Sequence, residues 1–117
     1  MELYDFISKF KHLDLRQKNY HVDSRGEYAQ LVFDSGDTQK WYQGIQDLLG
    51  PPVKTEGQPV TDDLVRLTKD FGEIFDHQTL FCLEKKNQRI LAMFWPWKDS
   101  HMITLKIMVS RSGAKQP

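Results

Sequence analysis

Thr79-Leu80-Phe81-Cys82-Leu83-Glu84, then Arg89-Ile90-Leu91-Ala92-Met93-Phe94-Trp95, then His101-Met102-Ile103-Thr104-Leu105-Lys106-Ile107-Met108-Val109: these three runs decide the fold. Lys85-Lys86-Asn87-Gln88 separates the first two and Pro96-Trp97-Lys98-Asp99-Ser100 the last two. The linkers are short, polar or proline-bearing, and the runs are rich in aromatic and β-branched residues, which reads as three antiparallel strands joined by turns. In the third run Ile103, Leu105, Ile107 and Val109 alternate with Thr104, Lys106 and Met108, the period of two expected of a strand with one buried face.

Upstream, Glu27 to Phe33 reads as one more strand, closed by the turn cluster Asp34-Ser35-Gly36-Asp37. Residues 13–26 are polar, and read as a loop with at most a short strand near Tyr20–Val22. Three helical stripes occupy the rest. Leu3, Phe6, Ile7 and Phe10 recur at helical spacing between Glu2 and about His12. Trp41, Ile45, Leu48 and Leu49 follow a cap at Asp37 or Thr38 and stop at Gly50-Pro51-Pro52. Leu64, Leu67 and Phe71 follow a Thr61 cap and stop at Gly72.

The order of elements predicts an α+β domain over residues 1–109, with 110–117 as a flexible tail. The expected architecture is an antiparallel sheet of about four strands, one early and three in the C-terminal meander, with two or three helices on one face. The helix–Leu49-Gly50-Pro51-Pro52–loop–three-strand order is similar to that of the small two-helix, three-strand modules of outer-membrane lipoprotein assembly factors. The similarity is one of topology, without that family's lipoprotein signal and cysteine, and carries over no functional residue.

Length and charge narrow the function. A chain of 117 residues holds one core. Sixteen basic and sixteen acidic residues cancel, against the basic excess of a dedicated nucleic-acid binder. Residues 1–75 hold 13 acids and 9 bases, and residues 76–117 hold 3 acids and 7 bases, an asymmetry that reads first as acid-rich helices and lysine-rich hairpins kept soluble, and alternatively as a complementary partner surface. The longest apolar run, Ile90 to Trp97, is too short to span a bilayer. Acidic Glu2 and Asp5, with Lys9 and Lys11, do not make a secretory signal. With the lone thiol of Cys82 this suggests the cytoplasm.

No phosphate-binding loop, dinucleotide fingerprint, nucleophile elbow or C-x-x-C pair occurs. His12, His21, His77 and His101 lack metal-ligand spacing, so neither metal nor cofactor is expected. Asp34 and Asp37 are too few for a calcium loop, and Asp70, Glu73 and Asp76 read as solvated helix-end acids. The most informative string is Phe94-Trp95-Pro96-Trp97. Alternation sends Phe94 and Trp95 to opposite faces, leaving a tryptophan hard to bury in a two-layer fold.

The leading expectation is a non-catalytic protein-interaction domain, with a protein partner or self-association through strand pairing. Its surface would be Tyr28, Met93, Trp95, Trp97, Lys98, Lys106 and Met108. One alternative is a small-molecule binder or minor enzyme, with a pocket between sheet and helices near Asp76, His77, Cys82 and His101. The other is a weak single-stranded nucleic-acid binder using the basic hairpin Lys85, Lys86 and Arg89.

Overall fold

The structure is a computed structural model describing residues 3–10, 15–24, 26–69, 71–85, 87–98 and 101–111. Its order is α1 (Leu3–Ser8), β1 (Gln17–Asp23), β2 (Gly26–Asp34), α2 (Thr38–Leu49), α3 (Asp62–Thr68), β3 (Thr79–Lys85), β4 (Gln88–Pro96) and β5 (Met102–Arg111). All five strands form one antiparallel sheet in the order β1-β2-β5-β4-β3. The α+β class and the three-strand meander are as expected. The strand count is five rather than about four, because residues 17–23 pair along their whole length with Val32 down to Gly26. The Lys86 tip of the β3–β4 turn, Asp70, His12 and residues 112–117 lie outside the described residues.

Helices cover both faces of the sheet, not one. On the first face Leu3, Phe6 and Ile7 of α1 and Trp41, Ile45 and Leu49 of α2 bury Ala29, Leu31, Phe33, Ile90, Ala92, Phe94, Leu105 and Ile107. Phe10 stacks on Trp41 at 4.3 Å between ring centroids and lies directly over Gly44. On the second face Leu64 and Leu67 of α3, with Val60, Phe71 and Ile74, pack on Leu80, Leu91 and Met93. Since Leu91 and Met93 alternate with Ile90, Ala92 and Phe94, the two clusters lie on opposite sides of β4.

The helix ends follow local chemistry in part. Thr61 caps α3, its hydroxyl accepting from the Leu64 N–H at 3.3 Å. Gly50, at φ +85°, ends α2. The start of α2 differs from the expected side-chain cap: a 3-10 turn, Ser35–Asp37, leads into it, and the Thr38 hydroxyl donates back to the Ser35 carbonyl.

The two sheet edges differ. Beside β3, the extended segment after Pro52 forms a bridge between Lys54 and Leu80. Lys54 is fully buried, and its Nζ donates to the carbonyls of Asp76 and Gln78 at 2.7 Å and Thr55 at 3.1 Å. Desolvation pulls its pKa below the ordinary lysine value, opposed by the charges of Asp76 and Glu56. At the other edge β1 has no further strand among the described residues, and its side chains are exposed apart from half-buried Asp23.

Candidate functional site

The β-ladder registers place Gln17, Val32, Thr104 and Trp95 in one cross-strand row on the second face. The adjacent row is Asn19, Gln30, Lys106, Met93 and Leu80. The next is His21, Tyr28, Met108, Leu91 and Cys82. The apolar side chains of α3 and Phe71 pack on the far parts of the last two rows: Met93 is buried, and Tyr28, Met108 and Cys82 are partly covered. Burial also raises the Tyr28 pKa.

Trp95 is half-buried at the rim of this covered area. The Lys106 Nζ lies 4.7 Å from its ring centroid, a cation–π contact of about 0.5–1 kcal/mol at a partly exposed site. Phe75, 39% exposed, lies 6.0 Å from Trp95 on one side and stacks on His77 at 6.0 Å on the other. Trp97, 45% exposed, donates its indole N–H to the Thr104 hydroxyl at 2.7 Å, which fixes the ring's position above the sheet. Pro96 between them lies past the last β3–β4 pair, where β4 has a neighbour on one side only and the missing N–H is tolerated. The result is a run of rings, His77–Phe75–Trp95, with one cation against it and a second indole nearby.

The structure thus divides the residues singled out from sequence. Trp97 is exposed, Trp95 and Lys106 are half-buried, and Met93, Tyr28 and Met108 belong to the packing under α3. Lys98 is exposed next to Trp97. His77 joins the Trp95 group through Phe75, a residue the sequence reading did not single out. The other members of the alternative set do not assemble. The Asp76 carbonyl accepts from Lys54 and from Gly57, and its carboxylate accepts from the Val60 N–H. His101 is exposed in the β4–β5 turn, where its carbonyl accepts from Ser35. Among the described residues no three His, Cys, Asp or Glu side chains are grouped so as to hold a metal ion.

Cys82 is half-buried, and burial raises its thiol pKa, with Glu84 adding and Arg89 opposing. A thiol in that state is a poor nucleophile. Labelling of the native chain by a disulfide reagent at mildly alkaline pH should therefore be at least about tenfold slower than labelling of the urea-unfolded chain. Equal rates would mean that the thiol faces solvent.

No family model, curated protein or solved structure matches the chain. No helix among the described residues is long and apolar enough to cross a membrane.

Proposed function

We propose that this chain is a non-catalytic interaction domain that holds a protein partner on the Trp95 face. The observation that carries the reading is the ring cluster itself: exposed Phe75 packs on half-buried Trp95, Lys106 lies against Trp95, and exposed Trp97 is held by the neighbouring Thr104. Tryptophan presents a large, stiff contact area, and such residues dominate binding energy at interfaces. The scattered positions of Asp76, Cys82 and His101 support a binding role over a catalytic one. Apolar side chains of the helices pack on both faces of the sheet, which supports a surface site. Arg89 is engaged by Glu84 at 3.2 Å, which weakens the case for the hairpin as a nucleic-acid contact. The lone, half-buried thiol supports a reducing compartment, the cytoplasm.

The test is capture of partners from host lysate with the tagged chain beside its Trp95→Ala/Trp97→Ala variant, both checked for folding by circular dichroism. The parent is expected to retain a partner that the folded variant binds at least about thirtyfold more weakly, the loss typical of interface hot spots. A partner retained equally by both, or none retained by the parent, would overturn the reading.

A further inference from the structure

The β1 edge carries a second surface, separate from the Trp95 face. Of the sheet's two edges it is the one with no segment bridged to it among the described residues. Tyr4, Tyr20 and Val22 gather there, at 51%, 37% and 51% exposure. Tyr4 and Tyr20 meet edge-on at 5.7 Å, and the Tyr20 hydroxyl donates to Glu27. Charged side chains, lysine above all, are one of the ways native edge strands are protected. Here the one lysine of β1, Lys18, is drawn aside, its Nζ lying 5.1 Å from the Tyr4 ring centroid.

We propose that β1 pairs with β1 of a second copy of this chain, antiparallel, about a two-fold axis through Tyr20. Symmetry fixes this register. A two-fold axis perpendicular to the sheet keeps each helix-covered face continuous with its counterpart, and such an axis must pass through a residue position. Pairing all of Gln17–Asp23 puts that position at the central residue, Tyr20. Gln17 then faces Asp23, Lys18 faces Val22, Asn19 faces His21, and Tyr20 faces its own copy. No like charges are opposed in this register. The Lys18 stem covers the exposed Val22, and Tyr4, Tyr20 and Val22 from both copies form one apolar patch across the axis. The edge is self-complementary, which favours a second copy over a foreign strand.

The test is sedimentation of the full chain at micromolar concentrations. The parent is expected to be a dimer. Val22→Lys sets a second ammonium opposite Lys18 at both symmetry-related positions and should weaken the dimer at least about tenfold. Since Val22 is exposed, the monomer should keep its fold. Adding Lys18→Glu to Val22→Lys should restore dimerisation, a rescue that only this register predicts. In a Cys82→Ala background, Tyr20→Cys should form an intermolecular disulfide under mild oxidation, because directly opposed antiparallel positions are within disulfide reach. Val53→Cys, exposed away from β1, should not. A monomeric parent, a Val22→Lys dimer as tight as the parent's, a failed rescue, or no disulfide at the Tyr20→Cys position would overturn the proposal.

Discussion

Replacing Gly26 with alanine is expected to destabilise the protein by about 3–5 kcal/mol, the sum of backbone strain and steric overpacking. Gly26 opens β2 and pairs with both Asp23 and Ser110. Its φ is +144°, a conformation that side chains rarely adopt. A Cβ there would lie 1.9 Å from the Val109 carbonyl oxygen, 2.9 Å from its carbon and 3.0 Å from the Ser110 Cα. All three atoms are backbone of β5, so no rotamer change can relieve the overlap. Only separating β2 from β5 would do so, at the cost of ladder hydrogen bonds. Urea unfolding followed by circular dichroism measures the effect. Gly36→Ala is the control, since a Cβ at Gly36 meets nothing within 4 Å, and it should shift stability by less than about 1 kcal/mol. A Gly26→Ala variant as stable as that control would refute the close approach of the two strands.

Lys54→Ala is expected to cost a similar amount, about 3–5 kcal/mol, through a different mechanism. The ammonium ties the loop after α2 to the segment before β3 through three carbonyls. Removing it leaves the Thr55 and Gln78 carbonyls without that donor, whereas the Asp76 carbonyl keeps the Gly57 N–H. Alanine also leaves a cavity where the stem lay. Lys54→Met fills most of that volume and should lose less, about 2–4 kcal/mol, which isolates the polar contribution. Chemical denaturation of both variants measures the difference. Equal stability of Lys54→Met and the parent would show that the carbonyl contacts contribute nothing net.

The same residue sets a pH dependence. Its folded pKa lies below the ordinary 10.5, so between the two values the unfolded chain binds more protons than the folded one. Stability contributed by Lys54 therefore rises with pH through that window and is flat below it. The parent should gain on Lys54→Met as pH is raised toward 10.5. Tyr28 and Cys82, whose pKa values are raised, act in the opposite direction but equally in both proteins. A gap that shrinks over this range would contradict the sign.

Residues 79–109 were legible as a meander because short polar linkers interrupt long apolar runs. The helices were legible from their stripes, but a stripe says which side of a helix is buried and not which side of a sheet it covers. The signal for two covered faces is nevertheless present: Ile90-Leu91-Ala92-Met93-Phe94 is apolar without a break, as a strand buried on both sides must be. β1 was not legible because Gln17-Lys18-Asn19-Tyr20-His21-Val22-Asp23 has almost nothing to bury, and hydrogen bonding to β2 organises it instead. In the site, alternation along β4 separated Trp95 from Phe94, but the face each takes is set by where the helices pack. Phe75 reaches Trp95 through the path of the chain before β3, and Lys54 finds its carbonyls 22 and 24 residues away, contacts that no local pattern encodes.

The bridge at Leu80 has a further consequence for growth. Edge-to-edge addition of subunits can propagate without limit only if each new member offers a fresh template on its far side. Here the far side is already occupied at Leu80 by the chain's own backbone and anchored by a buried cation. Whatever joins at β1 meets, at Leu80 on the opposite side, a position where the template is already taken, and this opposes further strand addition there while Lys54 holds its place.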